Sequence, residues 1–388
     1  MSATVTITAR GEERLRRGHP WIYKADVVRA EAAAGDIVTI VGPRARRLGS
    51  ALYSDRSQIA LRVLTRGDHA ADVDLWRHRL DRAIGFRERL GIDASAYRLV
   101  HGEADLLPAL VVDRYDRWLV VQALAQGVDR LLPDITAMLV DRLRPDGILA
   151  RNDPRVRLLE GLDQTVAVLY GEVPDVVSVD ENGMRFEASL RHGQKTGLFL
   201  DQRENRAAAS VYARGRALDC FSYNGGFALS LASRAEEVIA VDSSPDAVTR
   251  IAANAALNGR SNISAREGNV FDVLRQFERA GERFDTIVLD PPAFAKNKAA
   301  VPKAVAGYKE INLRALRLLN PGGTLITCSC SYNIDETLFL DILQEAALDA
   351  HCAITLLEKR MQGRDHPVLM GVPETYYLKC LILRRIEA

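Results

Sequence analysis

Cysteine is scarce in this sequence, five among 388 residues, an odd number at no framework spacing. That count excludes a disulfide scaffold and leads us to expect a reducing, cytoplasmic setting. Long apolar runs are missing too: none approaches the roughly 20 residues that a membrane-spanning helix needs. The opening MSATVTITARGEERLRRGHP lacks the apolar segment of a secretory signal. A membrane partner is therefore not expected. Neither is a metal, because no Cys or His group has zinc-ligand spacing. Net charge is also nearly absent, with 52 basic against 51 acidic residues. The overall balance thus does not announce a nucleic-acid binder.

Apolar content is ample at 47%, enough for packed cores, and the length suits two or three domains. The charge is unevenly spread. Residues 1–66 hold 12 basic and 6 acidic side chains, so the remainder is mildly acidic. A small basic N-terminal module on a larger acidic body suits contact with a polyanion. Its short runs VTITA, DIVTIVG, RLGSALYS and IALRVLT, broken by Gly, Pro and Arg, predict a small β-barrel. Between them, RRGHPWIYKADV mixes cations with rings, so Arg16, Arg17, His19, Trp21, Tyr23 and Lys24 are candidate RNA contacts. For the Trp and the Tyr, a place in the barrel core is the competing reading.

Residues 67–185 read as a mixed α/β block, with helices over Asp74–Leu90 and Asp129–Leu143 and hairpin-like strands between them. From residue 186 to 388, strands alternate with helices, the pattern of a parallel, doubly wound, Rossmann-like sheet. A dinucleotide-binding turn would read G-x-G-x-x-G, and a phosphate-cradling loop G-x-x-x-x-G-K-[ST]. The first turn here is FSYNGG and is neither. What it offers is Asp219 at the strand end, Phe221 and Tyr223 in the turn, and adjacent Gly225 and Gly226. A second acid, Asp242, ends the next strand beside Ser243, where a carboxylate hydrogen-bonds ribose hydroxyls. A ligand with a ribose, no pyrophosphate and cationic groups fits this set, and S-adenosyl-L-methionine is such a ligand. Asn269, after the third strand, is placed for the adenine edge.

The run FDTIVLDPPAF ends a fourth strand at Asp290, whose carboxylate points into the ligand crevice of such sheets. Pro291 and Pro292 stiffen the exit, and Phe294 is a candidate for stacking on a base, with core packing as the alternative. In LITCSCSYNI, Cys328 and Cys330 lie two apart on a strand. Zinc spacing is absent and a disulfide between them is sterically unsuited. Cys328 reads as core filler. Cys330, at the strand end, can face the methyl donor as a nucleophile. Attack of its thiolate on carbon 6 of cytosine would activate carbon 5 for methylation. Asp290 would hold the base edge, and the base must be single-stranded or flipped out.

Together HGQKTGLFLDQRENR, LDCFSYNGGFALSLA, VDSSPDAV, LDPPAFAKNK, GYKEINLRAL and TCSCS resemble the bacterial 23S rRNA cytosine-C5 methyltransferase I family. GHPWIY and SALYSDRSQIALRVLT are similar to that family's PUA RNA-binding domain, and DHPVLMGVPETYYLK to its C-terminal segment. The resemblance implies a PUA domain, a central α/β domain and a class I methyltransferase domain, with large-subunit rRNA as partner and a homodimer as one oligomeric option. It also implies a catalytic cysteine at Cys330, and a polar segment beside the donor that makes Lys195, Thr196, Asp201, Gln202 and Arg203 candidate pocket residues. Cys328 stands where relatives carry Phe, Asn269 where Asp is more frequent, and Ala109 where Gly is expected. Two other readings compete: a guanine-modifying rRNA methyltransferase, which needs no strand-end cysteine, and a non-catalytic RNA-binding protein with a cofactor-type fold.

Overall fold

The computed structural model describes residues 3–386. The chain forms two compact units. The first comprises Met1–Asp180, Ala188–Leu200 and Arg364–Thr375, the second Glu181–Glu187, Asp201–Gly363 and Tyr376–Ala388. The blocks read from sequence as 1–66 and 67–185 thus share the first unit almost entirely, and two later segments join them.

Within the first unit, a six-stranded sheet runs in the order Trp21–Tyr23, Ile59–Arg66, Arg47–Tyr53, Ile37–Val41, Thr4–Ile7, Val27–Glu31. Val5, Ile7, Val38 and Ile40 alternate inward with period two and join Ile22 and Leu61 in one small core. Gly49 adopts φ +152° where this sheet bulges, and a Cβ there would lie 2.0 Å from the Thr65 carbonyl oxygen, so only glycine fits. A second sheet has the order Thr165–Gly171, Gly147–Asn152, Trp118–Ala123, Leu110–Tyr115, Ala96–His101. Helices Val73–Arg89 and Gln126–Leu143 share its core through Trp76, Leu80, Ile84, Ile135 and Leu139. Asp72 caps the first helix by accepting from the Leu75 amide at 3.0 Å.

Buried polar contacts explain why the two sheets form one unit. Arg62, on the first sheet, donates to Glu160 at 2.8 Å, and the two side chains are 7% and 1% exposed. The Trp21 indole N–H donates to Glu103 at 3.1 Å. Residues from near the far end of the chain are tied in as well: Asp365 accepts from the Arg98 amide at 2.8 Å, and its carbonyl accepts from Arg87.

The second unit is built on a seven-stranded sheet, ordered Ile263–Glu267, Glu237–Asp242, Arg216–Cys220, Phe284–Leu289, Leu319–Ser329, Lys379–Ile386, Ala353–Arg360. The first five strands are parallel, and Lys379–Ile386 runs antiparallel to both of its neighbours. Strands of this kind, with both faces covered, read as near-continuous apolar runs. Two cores account for that: Leu218, Ile287, Leu289 and Leu325 join one, while Ala217, Val288, Ile326 and Cys328 join the other. Pro245 opens the helix Pro245–Leu257 and Asn258 closes it, as their residue types predict.

Removing one partner of a buried ion pair strands the other charge, at about 3–5 kcal/mol. Glu160→Ala is therefore expected to lower the urea-unfolding stability of the first unit by about 3 kcal/mol. The isosteric double replacement Arg62→Met with Glu160→Leu should recover most of that loss in the same titration.

Candidate active site

The sheet order brings the carboxyl ends of four adjacent strands together, those of Glu237–Asp242, Arg216–Cys220, Phe284–Leu289 and Leu319–Ser329. At or within one residue of each of these ends stands a residue singled out from sequence: Asp242, Asp219, Asp290 and Cys330. Asp219 is fully buried, and its Oδ2 accepts from the Ser222 hydroxyl at 2.5 Å and the Ala228 amide at 2.9 Å. Its Oδ1 is buried with no hydrogen-bond partner. An orphaned carboxylate oxygen is costly, and burial pushes the Asp219 carboxyl up to about 7, with Asp290 and Asp242 adding to the rise. A cationic ligand group at Oδ1 would satisfy both the lone pairs and the charge. The methionyl ammonium of S-adenosylmethionine is such a group, so the residues present fit that cofactor.

The turn after Asp219 is held in left-handed backbone, with φ +63° at Phe221, +53° at Tyr223 and +85° at Gly225. Gly226 opens the next helix, and a Cβ there would lie 2.9 Å from Arg206 Cδ. Arg206 is itself fixed by a bidentate, buried pair with Glu181 at 2.6 Å. Asp242 stabilises the same turn: Oδ2 accepts from the Tyr223 amide at 2.9 Å and Oδ1 from the Ser244 amide at 3.0 Å. Ser243 is exposed beside it. Asn269 is an exposed helix cap whose Oδ1 accepts from the Phe271 amide at 3.0 Å.

Asp290 follows the strand Phe284–Leu289, and its Oδ1 accepts from Gln202 Nε2 at 2.8 Å. Gln202 in turn accepts from Asn205 at 2.7 Å. Asp201 accepts from the Tyr377 hydroxyl at 2.7 Å, and Arg203 is buried and pairs with Glu204 at 2.9 Å. Lys195 and Thr196 belong to the first unit instead. There the Thr196 hydroxyl donates to the buried Asp113 carboxylate at 2.6 Å and meets the Tyr115 hydroxyl at 3.0 Å, while Lys195 lies over the Phe199 ring. Asp113 already holds Arg98 through both oxygens, and a buried carboxylate recruits whatever donors the chain supplies.

Cys330 stands one residue past the strand Leu319–Ser329, half-buried, with Sγ 3.7 Å from the Pro291 carbonyl oxygen. Cys328 is fully buried opposite Cys380, and burial pushes its thiol well up. Around Cys330 the backbone is tightly held. Ser329 donates to the Tyr308 hydroxyl at 3.1 Å, and Ser331 Oγ lies 3.1 Å from the same hydroxyl and accepts from the Ala295 amide at 3.2 Å. Lys379, buried, donates to the Ser331 carbonyl at 2.8 Å and the Tyr377 carbonyl at 3.0 Å. Sequence reading passed over Lys379. Its signal is a single charge inside the apolar run LKCLIL.

Phe294 packs among Tyr308, Phe271 and Phe221 at 4.7, 6.1 and 6.5 Å between ring centres, half-buried against the core. The N-terminal RNA candidates lie on the first unit. Arg16 and Arg17 are 67% and 79% exposed and pair with Glu13. The His19 ring accepts from the Trp21 amide at 3.1 Å, the Trp21 indole is committed to Glu103, and Lys24 reaches the Asp55 carbonyl at 3.3 Å.

A crevice of this geometry on a doubly wound sheet is that of a class I methyltransferase. Residues 156–384 match the S-adenosylmethionine-dependent methyltransferase family, and residues 5–66 match a PUA-like domain. The chain is 43% identical, over its full length and that of the relative, to the ribosomal RNA large subunit methyltransferase I of Tolumonas auensis. It is 40% identical to that of Erwinia tasmaniensis, covering 98% of this chain and 99% of the relative. Among solved structures, an S-adenosylmethionine-dependent methyltransferase from Streptococcus mutans shares the fold at a TM-score of 0.84 and 20% identity, covering 99% of this chain and all of that one. A methyltransferase structure complexed with SAH matches equally, at 0.84 and 21%. The chain is thus an S-adenosylmethionine-dependent methyltransferase. It belongs to the ribosomal RNA large subunit methyltransferase I family.

An Asp219 that titrates near 7 must lose its proton before pairing with a cation. Affinity for S-adenosylmethionine, measured by calorimetry, is expected to rise with pH up to about 7 and then level off. Asp219→Asn should bind about 10- to 100-fold more weakly at pH 8, the span of a charge-assisted hydrogen bond, and should lose the pH dependence. Without ligand, that variant should melt no lower than wild type at pH 8, because a carboxyl raised by burial destabilises the fold once ionised.

Proposed function

We propose that this chain forms 5-methylcytosine in large-subunit ribosomal RNA, with Cys330 as the nucleophile and Asp290 as the residue that holds the base edge. The observation that carries the reading is the position of Cys330. Its thiol emerges at a strand end two strands from Asp219 in the sheet, against the Pro291 carbonyl that directly follows Asp290. The names of the relatives and the PUA-like domain support ribosomal RNA as the substrate.

Bound S-adenosylmethionine supplies an electrophilic methyl group. The residues do the rest. Asp219, with its unpartnered Oδ1, anchors the cationic end of the cofactor, and Asp242, ordering the turn through Tyr223 and Ser244, shapes the place of the ribose. Cys330 adds as thiolate to carbon 6 of a base taken out of its stack, which makes carbon 5 enamine-like. A proton taken up at N3 from solvent neutralises the charge that thiolate addition delocalises there, and Asp290, oriented by Gln202, then faces the positive charge that methyl transfer leaves along the N3 and amino edge. After methyl transfer the carbon-5 proton passes to water, its electron pair restores the 5,6 double bond, and Cys330 leaves as thiolate.

The test uses methyl-labelled S-adenosylmethionine and rRNA from cells lacking the gene, digested to nucleosides. Label is expected in 5-methylcytidine. Cys330→Ala should reduce it at least 1,000-fold, in the range seen when a covalent nucleophile is removed, and Cys328→Ala should retain it. Label in a guanosine product would overturn the cytosine reading.

A further inference from the structure

A thiol of ordinary pKa, about 8.5, is only a few per cent thiolate near pH 7, so a cysteine nucleophile at a half-buried strand end needs a cation beside it. We propose that Lys379 is the positioning residue that holds Cys330 as its reactive thiolate, through a buried ammonium presented from the neighbouring antiparallel strand. This rests on the reading of Cys330 as a nucleophile and adds the group that activates it.

Lys379 opens the strand Lys379–Ile386 and lies opposite Ser329, the residue before Cys330. Its Nζ is fixed by the Ser331 carbonyl, from the residue after Cys330, and by the Tyr377 carbonyl. An ammonium has three N–H groups, and these two bonds use two. The side chain is 2% exposed. Leaving a lysine this dry is costly without a negative partner. Burial pulls its pKa down to about 8, while Cys330, Asp335 and Glu336 act in the opposite sense. At pH 7 it is still mostly charged.

Four other described groups of this region, Asp290, Tyr308, Cys328 and Glu336, carry no positive charge. Asp290 is acidic and held by Gln202. Tyr308, from the helix Val301–Leu318, is pushed up to about 12 by burial and stays neutral. Cys328 is kept a neutral thiol by burial, opposite buried Cys380. Asp335 caps the helix Glu336–Asp349, and Glu336 is occupied by Lys359 at 2.7 Å and the Tyr376 hydroxyl at 2.9 Å. When Cys330 ionises its proton goes to water, and Lys379 keeps its own.

The experiment reads thiol chemistry and requires neither RNA nor methyl transfer. The rate of Cys330 alkylation by neutral iodoacetamide is followed against pH by peptide mass spectrometry, in wild type, Lys379→Met, Lys379→Gln and Lys379→Arg. The readout is the pH midpoint, because intrinsic thiolate reactivity also changes with pKa. Wild type should show a midpoint below about 8.5. The two neutral variants should move it up by a unit or more and slow alkylation at pH 7 about tenfold, while Lys379→Arg should keep it low. S-adenosylmethionine binding checks that each variant is folded. A wild-type midpoint at or above the ordinary thiol value overturns the proposal whether or not the variants fold, as does an unchanged midpoint in a folded neutral variant. A low, Lys379-dependent midpoint found together with a guanosine product would overturn the cytosine reading alone.

Discussion

The strand Leu319–Ser329 is hydrogen-bonded along both edges, parallel to Phe284–Leu289 and antiparallel to Lys379–Ile386, and closed off on both faces. A strand in that position cannot slip by one residue without turning Leu325, Ile326 and Cys328 into the wrong core. Whatever follows its last residue is therefore fixed in place. Here that residue is Cys330. The site depends on this constraint more than on any contact the thiol itself makes.

Two opposite electrostatic environments sit side by side at these strand ends. Around Asp219 the charges of Asp290 and Asp242 add to its own, and this fully buried carboxylate keeps one oxygen unpartnered. That is a poor arrangement for stability and a good one for a cationic cosubstrate, whose binding offsets a cost already present in the empty protein. Around Cys330 the balance reverses, because the antiparallel strand contributes a buried lysine. The change of sign follows from topology. Parallel strands all present their carboxyl ends to the crevice, whereas an antiparallel neighbour brings its amino end there and with it a residue of unrelated sequence position.

In the first unit, buried charge serves cohesion. Asp113, Arg98, Thr196 and Tyr115 form one hydrogen-bonded network, and Arg62 with Glu160 belongs to another. Such pairs add little net stability over apolar packing but penalise alternatives strongly, since any misplacement leaves a dry charge. Thr196 shows how a polar residue near a binding motif in sequence can be engaged by a carboxylate of its own unit.

The sequence alone determined the alternation of strands and helices after residue 186, the helix caps and stops, the acids at strand ends and the strand-end cysteine. All of these are local: period, turn chemistry and the apolar length of a strand are written in consecutive residues. Their match to a family pattern along the whole chain carried the cofactor with it. Only the tertiary structure decided which strands are neighbours, that the residues around Thr196 and Asp365 belong with the first unit, that Phe294 packs among three rings, and that Lys379 reaches the Ser331 carbonyl beside Cys330. Those facts rest on contacts between residues far apart in sequence, and the energies that fix them, burial of charge and closure of hydrogen bonds, exist only once the chain has excluded water from the site.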